Sequence, residues 1–130
     1  MKNIIDDIKS YIERSVTLIA SPLYIDQIPT AEGDAVMIRA NPGQPVEVRY
    51  FDSSRTGAFP FSIYARSNDS GKAYNQLCDL MPILDMKGVQ LTAETMVSIE
   101  PTSNPSLVLK TEAGEYTYIA GFQLDYHIGG

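Results

Sequence analysis

The strongest constraint on the fold is the segment at residues 116–127, in which apolar and polar residues alternate. Successive side chains of a β-strand point to opposite faces, so this alternation predicts one long strand with an aromatic face. That face comprises Tyr116, Tyr118, Ala120, Phe122, Leu124 and Tyr126. A turn at residues 112–115 would join it to a strand at 107–111. We expect the aromatic face to lie in the core beneath a helix, with a subunit interface as the alternative.

Turn residues divide the rest of the chain into short apolar runs that are typical of β-strands. The predicted strands lie at residues 23–28, 35–40, 46–51, 59–67, 89–92 and 96–100. Two prolines interrupt regular pairing at residues 42–45. The polar run at residues 52–57 is typical of an exposed hairpin tip. No internal repeat is apparent in the sequence.

Two segments have the spacing of amphipathic helices. In residues 2–15 the apolar stripe consists of Ile4, Ile5, Ile8, Tyr11 and Ile12. We expect this stripe to pack on the chain's own sheet rather than on a partner. The second predicted helix spans residues 69–84, begins at an Asn68 or Asp69 cap and kinks or ends near Pro82. The predicted fold is therefore α+β: a single two-layer domain over residues 1–130, with a mostly antiparallel sheet and two helices on one face.

The charge balance argues against direct DNA binding. Ten Lys and Arg residues against 16 Asp and Glu residues give a net charge of −6. An acidic surface repels phosphate, so we expect no sequence-specific nucleic-acid binding, although a negative wall suits a passage through which DNA slides. No apolar run approaches the roughly 20 residues of a membrane-spanning helix, so no membrane association is expected. The single cysteine gives no sign of an oxidising compartment.

The sequence offers no catalytic or metal-binding pattern. His127 is the only histidine and Cys78 the only cysteine, too few for a typical zinc site. We expect a solvated or structural role for His127 and a buried apolar role for Cys78. The carboxylates are scattered and match no calcium loop. We therefore predict that the chain is not an enzyme and binds no cofactor or metal.

Several short motifs occur in an order that carries a family resemblance. They are Phe61-x-Ile63-x-x-Arg66-Ser67, Ala73-x-x-x-Leu77, Val97-x-Ile99 after Leu91, Asn104-Pro105 and Gly114-Glu115-Tyr116-x-Tyr118. With the N-terminal amphipathic helix, this order resembles the minor capsid and tail-completion proteins of long-tailed bacteriophages. It is similar in element order to the tail terminator proteins of such phages.

The resemblance implies a structural protein of the virion neck or tail, assembled in the host bacterial cytoplasm. Its implied role is a hexameric ring that caps the tail tube and joins it to the head, with the tube protein and head connector proteins as partners. The alternatives are a head-completion protein of the neck and a small-ligand binding module. Exposed loops are the expected contact regions. The candidate interface residues are Arg55, Phe59, Arg66 and Gln44.

Overall fold

The computed structural model describes residues 2–20, 22–27, 33–41 and 46–129 of the chain. Within these residues the elements are α1 (Lys2–Ser15), β1 (Tyr24–Ile25), β2 (Ala35–Ala40), β3 (Val46–Arg49), β4 (Arg55–Ser67), α2 (Ser70–Ile83), β5 (Met86–Gln90), β6 (Thr95–Pro101), β7 (Ser106–Lys110) and β8 (Tyr116–Ile128). The Asp69 side chain caps α2 by accepting a hydrogen bond from the Lys72 amide, and the helix ends one residue after Pro82.

Two long strands form the centre of the sheet. β4 and β8 pair antiparallel over 13 residues each, from Arg55 opposite Ile128 to Ser67 opposite Tyr116. Along the edge of β4 that faces away from β8, β2 and β3 follow one another and each pairs with part of its length. Along the edge of β8 that faces away from β4, β6 and β7 do the same. β1 adds to β2 in parallel, and β5 adds to β6 antiparallel. This mostly antiparallel sheet with two helices confirms the α+β prediction.

Both helices pack on one face of the sheet and share a single cluster of buried residues with it. Ile8 and Ile12 of α1 are fully buried in this cluster, which confirms that the first helix packs on its own chain. Phe122 and Leu124 of β8 are also fully buried, which confirms the core interpretation of the aromatic face. Burial of such side chains contributes about 1.5–3 kcal/mol each to stability.

The two halves of the chain repeat one arrangement that the sequence did not reveal. Each half has a 14-residue helix and a short strand, followed by two strands in series along a 13-residue strand: α1–β1–β2–β3–β4 and α2–β5–β6–β7–β8. Equivalent positions differ by 61 in residue number: Asn41 N donates to Pro60 O, and Thr102 N donates to Gly121 O, both at 2.9 Å. Equivalent inward-facing pairs are Val36 and Val97, Ile38 and Ile99, and Phe61 and Phe122.

An approximate twofold axis therefore passes through the sheet between β4 and β8. Phe61 and Phe122 lie opposite each other at the midpoints of these strands, and their rings stack with centroids 5.2 Å apart. The main difference between the halves is that β1 runs parallel to β2, whereas β5 runs antiparallel to β6. The axis places equivalent elements at opposite edges and opposite ends of the sheet.

Several strands differ from the sequence prediction, and one of them is β5, which covers Met86–Gln90 instead of residues 89–92. β3 ends at Arg49 and β4 already begins at Arg55, so the exposed tip is shorter than residues 52–57 and shifted toward the N-terminus. Within residues 22–27 the first strand covers Tyr24–Ile25, less than the predicted residues 23–28, of which residue 28 lies outside the described residues. β7 pairs with β8 only as far as Ile119, because the chain breaks pairing at residues 102–105 and β6 lines the remainder.

Candidate interaction surfaces

The turn between β3 and β4 is held rigidly by its own hydrogen bonds. Tyr50 N donates to Ser54 O at 2.9 Å, and Ser53 N donates to Tyr50 O at 3.1 Å. The Asp52 carboxylate accepts from the amide of Ser54 at 3.0 Å and from its hydroxyl at 2.5 Å. Ser53 has a φ of 70°, a left-handed conformation that non-glycine residues seldom adopt. The turn therefore presents its outer side chains in a fixed geometry.

The outer side chains of this hairpin form an apolar patch. Phe51 is fully exposed at 112% of its reference area, and Val48 and Tyr50 are each 51% exposed. We call these three residues the tip patch. A rigid turn that holds large apolar side chains in water is typical of a protein–protein contact, because the aromatic groups are already ordered before binding.

A polar cluster braces the base of the hairpin. The Tyr126 hydroxyl donates to Glu47 Oε2 at 2.5 Å, and Arg49 Nε donates to Glu47 Oε1 at 3.0 Å. Arg55 Nε lies 4.0 Å from Glu47 Oε2. Burial and the hydrogen bond to Glu47 raise the pKa of Tyr126 to about 12, and the bond from Tyr126 lowers the pKa of Glu47. The cluster ties β3 to β8 across β4.

Alkaline pH is expected to loosen this brace. The pKa of Tyr126 is about 12 in the folded chain against 10.0 in the unfolded chain, so the folded state holds this proton more tightly. Its contribution to stability is complete below pH 10 and is lost as the pH rises toward 12. We expect the tyrosinate absorbance, followed as the pH is raised, to show a step near pH 12. This late step should be absent from Tyr126→Phe and present in Tyr50→Phe. A late step that persists in Tyr126→Phe would contradict this assignment.

The four candidate interface residues are placed very differently. Arg55 lies at the base of the hairpin beside Glu47, where it supports the tip patch. Phe59 is 4% exposed and packs in the core, against the ring of Tyr126 at 6.2 Å. Gln44 and the rest of residues 42–45 lie outside the described residues. Of the three candidates that the structure describes, Arg55 and Phe59 lie near the same pair of residues: Arg55 beside Glu47, and Phe59 beside Tyr126.

Arg66 lies at the opposite end of β4 from the hairpin tip and is 9% exposed. Its Nε donates to Gly33 O at 3.0 Å and lies 3.7 Å from Glu115 Oε2. The same Glu115 oxygen accepts from Gly33 N at 2.9 Å. This closed set of contacts joins the approach to β2 with the start of β8, so its geometry supports a structural role.

A second apolar patch lies along β7. All five residues of this strand are exposed, and Leu107, Val108 and Leu109 are 50%, 53% and 56% exposed. We call these three residues the edge patch. The register shifts between Leu107 and Leu109, so these two side chains point to opposite faces of the sheet. β8 pairs with one edge of β7, and no strand among residues 2–20, 22–27, 33–41 and 46–129 pairs with the other.

Sequence reasoning missed both patches, although signals for them were present. A run of three apolar residues, Leu107–Leu109 in a five-residue strand, cannot all face one core. The Tyr50-Phe51 pair follows the last residue of an alternating strand directly, at the place where a turn is required. Exposed apolar residues at a strand edge and a turn are the pattern that indicates a contact surface.

Two shallow grooves lie on the face of the sheet away from the helices. One has a volume of about 400 Å³ and lies between Val48 and Met96 with Asp125 and His127 on its floor. The other, of about 260 Å³, is lined by Asp85, Lys87 and Glu100 among others. A small-ligand binding module would place its pocket between the helices and the aromatic face, where packed side chains such as Phe61 and Phe122 lie.

A metal site and a membrane-spanning helix are both absent from the part of the chain that the structure describes. No group of three His, Cys, Asp or Glu side chains there is arranged to hold a metal ion. Neither of the helices in those residues is long and apolar enough to cross a bilayer. His127 is exposed, and Cys78 is half-buried rather than fully buried.

Comparison with known proteins identifies one family. The model for the bacteriophage tail terminator protein matches residues 4–128, nearly the whole chain. No curated protein matches the sequence.

Proposed function

Because the chain belongs to the bacteriophage tail terminator family, we propose that it forms a hexameric ring that caps the tail tube and joins it to the head. Family membership confirms the resemblance and makes the chain a structural protein of the phage tail and a component of the virion. The ring, its assembly in the host cytoplasm and its contacts with tube and head connector proteins form the proposal.

The observation that supports the proposed ring is the placement of the exposed apolar residues. Among the described residues, eight large hydrophobic side chains are exposed, and six of them belong to the tip patch or the edge patch. These patches lie at opposite edges of the sheet, one beside β4 and the other beside β8. A closed ring of identical subunits needs two different surfaces on opposite sides of each copy, and the two patches meet that requirement.

The charge of the chain is compatible with DNA passing through such a ring. A net charge of −6 gives the phosphate backbone little to bind, so a passing DNA would meet few attractive contacts. Salt bridges such as Arg49–Glu47 also neutralise part of the basic charge at the hairpin. The proposed ring therefore surrounds DNA without holding it.

Purified tail tubes provide the direct test of this function. The full chain is added to tubes assembled from tube protein, and negative-stain images are scored for ring-shaped caps at tube ends. We expect a cap at one end of each tube and no further growth from that end. A chain that stays monomeric at every concentration and leaves tube ends bare would overturn the terminator role. Binding to head connectors without binding to tubes would favour the head-completion alternative.

Replacing Phe51 with aspartate is expected to weaken assembly without unfolding the chain. The side chain is fully exposed, so the free energy of unfolding should change by less than about 0.5 kcal/mol. A charge in the centre of an apolar contact should weaken ring formation or tube capping about tenfold or more. Light scattering and tube capping measure the effect, and Ser10→Asp on the exposed face of α1 is the control. Normal assembly by Phe51→Asp would remove the tip patch from the proposed interfaces.

A further inference from the structure

We propose that the edge patch of one copy binds the tip patch of the next copy, through antiparallel pairing of the edge of β7 that lies away from β8 with the edge of β3 that lies away from β4. Within the residues that the structure describes, no strand pairs with either of these edges. This inference rests on the proposed ring and names the strands that close it. An edge strand presents unpaired amide and carbonyl groups, and such edges readily pair with another chain. Three adjacent exposed aliphatic residues on β7 add an apolar contribution to that pairing.

The strand directions favour this match. β3 runs antiparallel to β4, β7 runs antiparallel to β8, and β4 and β8 are themselves antiparallel. β3 and β7 therefore run in opposite directions within one chain. When two copies meet edge to edge in the same orientation, β7 of one and β3 of the other are antiparallel, which is the more stable arrangement.

The approximate twofold axis explains why one chain carries two matching edges. β3 and β7 are equivalent elements of the two halves, each leading through a five-residue turn into a long central strand. The axis places them at opposite edges and opposite ends of the sheet. If the strands are inclined to the axis of the ring, as they are in a closed barrel, the stagger between neighbouring copies brings β7 of one level with β3 of the next.

The second copy, rather than an unrelated protein, is the occupant that the charges favour. In the antiparallel arrangement Lys110, at the end of β7, lies beside the start of β3 and Glu47. Arg49, whose side chain is 74% exposed, lies at the other end beside Ser106. A parallel arrangement would instead place Lys110 beside Arg49, and like charges across a strand pair are unfavourable.

Cysteine cross-linking distinguishes this contact from others. Val48 and Leu109 lie on the face of the sheet away from the helices, so cysteines at these positions would meet across the proposed seam. In a Cys78→Ala background, the variant with both Val48→Cys and Leu109→Cys is treated with a short thiol cross-linker. We expect a ladder of covalent oligomers up to the ring. Each single variant, and the control pairing Ser10→Cys with Val48→Cys, is expected to give no ladder.

A second measurement tests the contact without cross-linking. Leu109→Lys and Val48→Lys each place a charge on an exposed residue and are expected to retain the far-UV circular dichroism of the parent. Each should weaken self-association about tenfold or more, whereas Ser10→Lys should not. Rings that form while the double-cysteine variant gives no ladder would overturn this inference and leave the proposed function intact. Dimers from Val48→Cys alone would also overturn it, because the tips would then bind each other. Absence of rings both in solution and on tubes would overturn the proposed function itself.

Discussion

Phe122→Ala is expected to lower the free energy of unfolding by about 3–5 kcal/mol, a large share of the roughly 5–15 kcal/mol that stabilises a typical domain. The Phe122 side chain is fully buried and stacks on Phe61 at the centre of the β4–β8 pair. Removing the ring leaves a cavity in the buried cluster that the sheet shares with the helices, and it also removes the aromatic contact at the axis that relates the two halves. Both halves should lose packing at once.

Equilibrium unfolding in urea, followed by circular dichroism, measures this change. Phe51→Ala is a matched control, because it removes the same ring from a fully exposed position and should cost less than about 0.5 kcal/mol. The denaturant slope should stay the same if the mutation changes only stability. Equal losses for the two variants would contradict the assignment of Phe122 to the centre of the core.

Glu115→Ala is expected to destabilise the chain by about 1.5–3 kcal/mol, because it removes a charged hydrogen-bond acceptor and one carboxylate beside the largely buried Arg66. The two side chains are only 10% and 11% exposed. Glu115 also accepts the amide hydrogen bond of Gly33, so the substitution removes two contacts of one carboxylate. The loss should therefore exceed that of an ordinary surface ion pair.

Two comparisons make this prediction specific. Lys72→Ala breaks the exposed pair with Asp34 and should cost at most about 1 kcal/mol. The double variant with Arg66→Met and Glu115→Leu should be more stable than Glu115→Ala, because apolar side chains of similar size then replace both buried charges. Thermal or urea unfolding of the three variants provides the measurement. A double variant less stable than Glu115→Ala would show that the pair contributes through more than charge compensation.

The residues of the core were predictable because burial restricts them strongly. Alternation in β8 identified its inward face, and helical spacing identified the buried stripe of α1. The hairpin tip was misplaced because Arg55 and Thr56 are polar yet belong to a strand that continues beyond the cover of the helices. Polar composition therefore indicated exposure there and not the absence of a strand.

The repeat and the two patches were not predictable for related reasons. The two halves retain similar residues mainly at buried positions, such as Val36 and Val97, whereas their exposed positions differ freely. A repeat restricted to scattered inward positions is not visible in the sequence. The edge patch is exposed because β7 lies at the edge of the sheet. The break at residues 102–105 places it there, since β6 ends before the break and β7 pairs with the start of β8 after it. Gly121 permits this break, because a Cβ there would lie 3.0 Å from the Ser103 and Thr102 hydroxyls.

The two turns related by the twofold axis differ in chemistry although they share a backbone shape. Tyr50 N donates to Ser54 O and Thr111 N donates to Glu115 O, both at 2.9 Å, and the fourth residues of these turns, Ser53 and Gly114, both have positive φ. One turn exposes the aromatic pair Tyr50 and Phe51, whereas the other exposes acidic Glu112. Subunits joined side by side would gather the aromatic turns on one rim and the acidic turns on the other. A ring of this kind would have two chemically different rims. The side chains of the two five-residue turns would then determine its orientation.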